Sequence, residues 1–176
     1  MPDLLQQSAS AYLDLSRYSY TIIGGKNQKI LTATLSFPLD AYHHLAGFQY
    51  SRLESLRLRK PALMNVLSGA VSHQMLLDSG FQHSDRLECI ILLQDCLESS
   101  QFIFRYLGLK GISSTIKADY LMQWQNIVFF FSDSTPVSIF RNVRNINYAM
   151  NSPRYTVLKI IRRNISTDEV ATVYEW

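Results

Sequence analysis

The sequence contains few cysteines, glycines and prolines, and it has no long hydrophobic run. Its 176 residues include two cysteines, seven glycines and five prolines. The longest apolar runs, Cys89–Leu93 and Ile127–Phe131, are far shorter than the roughly 18 residues that cross a bilayer. The first residues lack the basic and apolar regions of a signal peptide. We therefore expect a soluble, cytoplasmic protein with no membrane partner.

The two cysteines, Cys89 and Cys96, indicate neither a disulfide nor a metal site. On one helix they would lie two turns, or roughly 10 Å, apart, which is too far for an unstrained disulfide. The sequence also lacks clustered carboxylates, a His-x-x-x-His pair and Cys/His zinc spacing. We therefore expect no metal and no other cofactor.

Charge is distributed unevenly along the chain. Residues 101–165 contain nine basic residues and two acidic residues, whereas residues 78–98 contain five acids and one base, Arg86. Clustered positive charge attracts polyanions. The excess of basic residues over 101–165 therefore predicts a polyanionic partner, and RNA is the first candidate.

The hydrophobic pattern changes from helical to strand-like near residue 100. Helix is favoured over residues 3–16, 40–47, 62–67, 71–77 and 85–99. Strand is favoured over residues 18–23, 29–37, 101–107, 114–121, 126–132, 137–140 and 155–165. This order predicts an α+β fold, in which an N-terminal hairpin and helices pack on a C-terminal, mainly antiparallel β-sheet.

The same pattern predicts one domain over residues 1–176. We expect an N-terminal helical extension over residues 1–17, a core over 18–165 and a C-terminal tail over 166–176. No internal repeat or low-complexity linker interrupts the chain.

The segment from Phe37 to Phe48 combines apolar anchors with two adjacent histidines. On a helix, His44 lies on the same side as Asp40 and Phe48, while His43 is rotated away by about 100°. An imidazole is the usual side chain for moving a proton near neutral pH. From the spacing alone, either histidine could equally be a surface residue or a hydrogen-bonded core residue.

This segment resembles a known nuclease motif. Phe37 and the run His44-Leu45-Ala46-Gly47-Phe48 are similar to the "F…HLxG-hydrophobic" signature of a phage and mobile-element nuclease family. That family belongs to the barnase–EndoU–colicin–RelE-like (BECR) group. The order of hairpin, histidine-bearing helices and basic terminal sheet is also similar over about residues 20–165. The resemblance implies a metal-independent ribonuclease or toxin.

The chemistry implied by the resemblance is attack of a ribose 2′-OH on the neighbouring phosphodiester. This reaction needs a base, an acid and positive charge or donors beside the phosphoryl group. We predict four catalytic residues: His44, Lys159, Arg141 and Thr156. We predict four RNA-binding residues: Lys117, Arg144, Arg154 and Arg163.

Alternation along the last strand guides part of this prediction. Lys159 and Arg163 are four residues apart and share one face, with Val157 on the same face and Ile160 on the other. Ser138 is a further candidate donor to phosphate.

Two other functions are compatible with the sequence. The chain could be a non-catalytic module that binds nucleic acid or protein through its basic face, in a phage or toxin–antitoxin type system. Alternatively, the acidic helix 85–99 could contact a partner protein. A protein inhibitor or antitoxin that covers the basic surface is a candidate partner under the nuclease hypothesis.

Overall fold

An eight-stranded antiparallel sheet packed against helices forms the fold, as seen in a computed structural model that describes residues 1–109 and 115–176. The helices are α1 (Leu4–Leu15), α2 (Ala41–Leu45), α3 (Glu54–Arg57), α4 (Arg59–Leu67), α5 (His73–Asp78), α6 (Ser84–Ile91) and α7 (Leu93–Ser99). The strands are β1 (Tyr18–Lys26), β2 (Lys29–Ser36), β3 (Phe102–Arg105), β4 (Tyr120–Trp124), β5 (Ile127–Ser132), β6 (Thr135–Arg141), β7 (Arg154–Asn164) and β8 (Val170–Glu175).

The strands follow the order β2-β1-β7-β3-β4-β5-β6, and β8 pairs with β7. Every pairing is antiparallel within the described residues. The two ends of this order approach each other, because the backbone N–H of Ser134, just before β6, donates to the carbonyl oxygen of Thr34 in β2. The sheet is therefore curled, and the predicted α+β fold class is confirmed.

Two hydrophobic clusters cover the two faces of the sheet. The larger cluster joins the helices to the sheet and includes Leu5, Ala9 and Tyr12 of α1, each 0 % exposed. A smaller cluster, built around Leu121 and Phe130, covers the opposite face of β4 and β5. Burial on both faces explains the uninterrupted apolar run of β5.

Three elements differ from the sequence-based prediction. The predicted helix 85–99 is two helices, because the backbone of Leu92 leaves the helical region. The predicted strand 114–121 begins only at Tyr120; Ser114 lies outside the described residues. The predicted tail contains β8, which pairs with β7.

A bulge in β7 changes which side chains share a face. Val157 pairs with Gly24 and Lys159 pairs with Ile23, so Leu158 is an extra residue in the ladder. Such an insertion breaks the simple two-residue alternation. As a result Val157 and Ile160 both belong to the larger cluster on one face of the sheet, and the prediction that they lie on opposite faces is wrong.

Charges of opposite sign meet where α6 and α7 pack against the sheet. A guanidinium nitrogen of Arg141 lies 3.1 Å from a carboxylate oxygen of Glu88, and Arg162 lies 3.1 Å from Glu98. Two carboxylates of the acidic segment, residues 78–98, are therefore paired with basic residues of the strand-rich segment, residues 101–165. This pairing leaves less acidic surface for the alternative in which helix 85–99 docks on another protein.

No helix within residues 1–109 and 115–176 is long and apolar enough to cross a membrane.

Candidate active site

His44 is held at the surface by buried neighbours on both sides. In α2 and the turn after it, Tyr42, Leu45 and Phe48 are each 0 % exposed, whereas His44 is exposed. The rings of Tyr42 and Phe48 meet edge to face, with centroids 5.4 Å apart. The apolar side chains thus fix the short helix, and the imidazole of His44 projects from it beside β6.

His43 has the opposite environment. Its side chain is 4 % exposed and its ring packs edge-on against Phe48, with centroids 6.1 Å apart. Burial lowers the pKa of His43, although nearby backbone carbonyls of Arg57 and Leu56 oppose the shift. The two adjacent histidines therefore have different roles, and His44 is the one available to a ligand.

Gly47 brings a distant arginine next to His44. Its φ of +79° lies in the left-handed region, which glycine adopts at little cost. A Cβ added at this position would lie 3.2 Å from Cδ of Arg86 and 3.4 Å from Cβ of His83. Glycine thus both turns the chain after α2 and leaves space for the Arg86 side chain.

A cavity of about 450 Å³, here called the central cavity, lies beside His44. This volume falls within the roughly 300–1,000 Å³ range of small-molecule sites. The cavity combines an imidazole, two cations, hydroxyl groups and aromatic rings. Its described lining consists of His44, Gln49, Tyr50, Arg86, Thr115, Ile116, Lys117, Val137, Ser138 and Phe140.

Two further cavities adjoin the central cavity. The Asp40 cavity, of about 290 Å³, shares His44 and Val137 with it and also contains Arg59. The Asp85 cavity, of about 240 Å³, shares Arg86 and Phe140 with the central cavity. The described lining of the Asp85 cavity is His83, Asp85, Arg86, Phe140, Arg141, Asn142, Val143, Arg144, Ile146 and Tyr148. The three cavities form one cleft along β6.

Positive charge in this cleft is largely uncompensated. Within the described part of the chain, no carboxylate lies within ion-pair distance of Arg59, Arg86, Lys117 or Arg144. Arg141 instead donates to Glu88 and, at 3.0 Å, to the side-chain oxygen of Asn126. The free cations are therefore available to an anionic ligand, while Arg141 is held in place.

The cleft shifts His44 towards its neutral form. The walls remove part of the solvent around its imidazole, and this desolvation is the main cause of a pKa below the ordinary value. The positive charges of Arg86 and Arg59, together with His43, lower the pKa of His44 further. A neutral imidazole can accept a proton, so the geometry suits a general base.

The structure brings four of the eight predicted site residues into the cleft. His44 and Lys117 line the central cavity, and Arg141 and Arg144 line the Asp85 cavity. Lys117 was predicted to lie in a strand over residues 114–121, but in the structure it precedes β4 and is not in a strand.

The other four predicted residues are not among the described residues that line the three cavities. Lys159 is paired with Glu175 at 3.3 Å, and Thr156 lines a separate cavity with Trp176. Arg163 is paired with Asp168 at 2.8 Å. Arg154 lies over the ring of Phe102, 4.6 Å from its centroid. These four residues therefore lie outside the described lining of the cleft that contains His44.

Sequence reasoning missed Arg86, Arg59 and Tyr50 as site residues. Arg86 is the one basic residue among the five acidic residues of 78–98. This exception was a weak signal that Arg86 has a partner outside that segment. Its contact with Gly47 depends on packing between segments about 40 residues apart, and no local pattern encodes that contact.

Among the described residues, no group of three or more His, Cys, Asp or Glu side chains could hold a metal ion.

An exposed imidazole among free cations, in a cleft along the sheet of an α+β fold, places a proton acceptor beside positive charge. A family model described as phage-Barnase-EndoU-ColicinE5/D-RelE like nuclease 4 matches residues 4–174. The chain therefore belongs to this nuclease family, and the predicted resemblance is confirmed. Comparison with curated proteins and with solved structures gave no significant match.

The pKa of His44 provides a direct test of the site's electrostatics. Replacing Arg86 by glutamine removes a positive neighbour, so the imidazolium becomes more favourable and the pKa of His44 rises towards its ordinary value. Titration of the imidazole signals by NMR measures the shift. Arg17→Gln, which removes a charge paired with Asp14, is the control and leaves His44 unchanged. An Arg86→Gln variant with an unchanged or lower His44 pKa contradicts this account.

Proposed function

We propose that the protein is a metal-independent endoribonuclease, with His44 as its general base. The observation that carries the proposal is the placement of His44, Arg86, Lys117 and Ser138 around one cavity. These side chains supply a proton acceptor, two positive charges and a hydroxyl donor. They match the needs of phosphoryl transfer from a ribose 2′-OH. Membership of a nuclease family supports a nucleic-acid substrate.

In the proposed reaction His44 removes the proton from a ribose 2′-OH. The 2′ oxygen attacks the adjacent phosphorus, and the bond between phosphorus and the 5′ oxygen breaks. The leaving oxygen takes a proton from Tyr50 or Lys117, which line the same cavity as His44. The products are a 2′,3′-cyclic phosphate and a 5′-hydroxyl end, so atoms and protons balance.

Negative charge grows on the non-bridging oxygens during this attack. Arg86 and Lys117 stabilise that charge, and the Ser138 hydroxyl, in a side chain 7 % exposed, donates a hydrogen bond to it. Preorganised donors in a partly desolvated site are effective because they need little rearrangement as the charge develops. Arg86 thus has two effects: it keeps His44 neutral, and it binds the phosphoryl group.

The rest of the cleft binds the RNA backbone in this proposal. Arg59 lies on one side of His44 and Arg144 lies on the other, beside Arg141, whose guanidinium is paired with Glu88. Neighbouring phosphates of a single strand can therefore contact cations on both sides of the reacting group. Lys159 and Thr156 stay sequence-based predictions as catalytic residues, and Arg154 and Arg163 stay predictions as RNA-binding residues; none of the four is in the described lining of this cleft.

One prediction of this proposal concerns the role of His44 in cleavage. We expect His44→Ala to lower the rate of RNA cleavage by about 10²- to 10⁴-fold, because a general base contributes that much. RNA affinity stays nearly unchanged, since the cations remain. Cleavage of a labelled single-stranded RNA, in the presence of EDTA, measures the rate, and fluorescence anisotropy measures binding.

Two outcomes would separate the competing functions. Cleavage by His44→Ala at the wild-type rate rules out His44 as the base. Salt-sensitive RNA binding without any cleavage by the wild type supports the non-catalytic binding module instead. Asp95→Asn, an exposed change on α7, controls for the general effects of substitution.

A second prediction compares two lysines. Lys117→Ala removes a cation from the central cavity and lowers the cleavage rate by about 10²-fold, the effect of losing one transition-state donor. Lys159→Ala removes an equal charge that is already paired with Glu175, and its effect is smaller. Single-turnover rates on one RNA compare the variants. If Lys159→Ala is the slower enzyme, the reaction takes place at β7 and not in this cleft.

A further inference from the structure

The tip of the β1–β2 hairpin carries two lysines that face each other. Lys26 and Lys29 are paired directly across the hairpin, and like charges in opposite positions destabilise a strand pair. Asn27 and Gln28 between them have φ of +48° and +63°, the geometry of a tight two-residue turn. Within the described residues, neither lysine has a carboxylate at ion-pair distance. A bound anion would relieve this repulsion, whereas the side chains around it do not.

A cavity of about 360 Å³, here called the hairpin cavity, contains both lysines and is otherwise partly apolar. Ile30, Leu158 and Trp176 line it, and Ile30 and Trp176 are 64 % and 84 % exposed. A Cβ added at Gly25, which also lines it, would lie 2.8 Å from Cδ1 of Leu158. Exposed aromatic and aliphatic side chains beside unpaired cations are the combination that binds single-stranded nucleic acid.

Exposed residues of β2 connect the hairpin cavity with the cleft. Thr34 is exposed and shares a face with Ile30, since alternate residues of a strand point the same way. These two residues are roughly 13 Å apart along the strand. The Thr34 hydroxyl lies 3.5 Å from that of Ser134, and the next residue, Thr135, lines the Asp40 cavity together with His44. A path of hydroxyl groups therefore leads from the cleft towards the hairpin tip.

The two carboxylates that adjoin this path in the sequence have partners. Glu175, next to Trp176, is paired with Lys159 at 3.3 Å. Asp133, next to Ser134, accepts a hydrogen bond from the Tyr120 hydroxyl. Each partner reduces the repulsion that the carboxylate would exert on a passing phosphate.

Building on the proposed function, we propose that the hairpin cavity is a second binding site for single-stranded RNA, which holds the substrate several nucleotides away from the reacting phosphate. Lys26 and Lys29 bind backbone phosphates, and a base stacks on the ring of Trp176 beside Ile30. The hydroxyl groups of β2 contact the backbone between the two sites. Because these contacts are made to phosphates and ring faces, the second site tolerates any base sequence. It strengthens the binding of long RNA and takes no part in the chemical step.

RNA length provides the first test. A short RNA that fills only the cleft is compared with RNAs extended at the 5′ or the 3′ end by about eight nucleotides, within the roughly 4–16 that one such surface binds. For wild-type protein, one of the two extensions lowers both KM and the dissociation constant. Fluorescence anisotropy in the His44→Ala background measures binding without cleavage.

The two lysines are tested together in Lys26→Gln/Lys29→Gln. This variant loses the gain from the extension, and its kcat is unchanged because the cleft is intact. The slope of log affinity against log salt for the extended RNA becomes shallower by about 1.4, the value for two phosphate contacts on a single strand. Arg17→Gln is the control, because Arg17 precedes β1 at the end opposite the hairpin tip. It keeps the gain from the extension.

Trp176 gives a readout that is specific to stacking. The extension quenches tryptophan fluorescence in wild type but not in Trp176→Phe, which keeps its affinity because a phenyl ring still stacks. Trp176→Ala weakens binding of the extended RNA about fivefold or more and leaves the short RNA unaffected. A Trp176→Ala variant that binds the extended RNA as tightly as wild type contradicts the stacking contact.

The outcomes separate the second site from the proposed reaction. A wild-type protein that does not cleave RNA, yet gains affinity from an extension through the two lysines, overturns the reaction and leaves the second site standing. If neither extension strengthens binding by wild type, or if Lys26→Gln/Lys29→Gln keeps the full gain, the second site is overturned, whether or not RNA is cleaved.

Discussion

The position of the His44 imidazole depends on the burial of apolar side chains around a five-residue helix. An isolated helix of this length is not stable, so its neighbours must hold it. Tyr42, Leu45 and Phe48 anchor it in the core, and Phe37, just before it, packs edge-on against Tyr12 of α1. The apolar residues of the motif therefore pack the short helix against the core, and this packing leaves His44 exposed between its buried neighbours.

Ion pairing determines which of the many basic residues can serve a ligand. The strand-rich segment is strongly basic in sequence, yet Arg141, Lys159, Arg162 and Arg163 are all paired with carboxylates. The cations without a carboxylate partner that line the cleft are Arg59, Arg86, Lys117 and Arg144, and two of them, Arg59 and Arg86, come from the helical half of the chain. A count of charges along the sequence indicates a polyanionic partner, but ion pairing and packing decide where that partner can bind.

Much of the fold could be predicted from the sequence, because its signals are local. The hairpin, the change of period near residue 100 and the buried run of β5 follow from residue pattern. His44 was found because its neighbours form a recognisable motif. Three features could not be predicted from the sequence. The contact between Gly47 and Arg86 joins distant segments, and the bulge at Leu158 breaks the alternation along β7. The ion pairs formed by Glu88 and Glu98 join helices to the sheet. These are long-range effects that no short window contains.

The central claim is that the cleft catalyses attack by a ribose 2′-OH without a metal ion. The most direct measurement is mass spectrometry of the ends produced when purified protein cleaves a defined RNA in EDTA. The account predicts 2′,3′-cyclic phosphate and 5′-hydroxyl ends, with no cleavage where the attacking ribose is replaced by deoxyribose. Products with 5′-phosphate ends, or cleavage at the deoxyribose position, would contradict it.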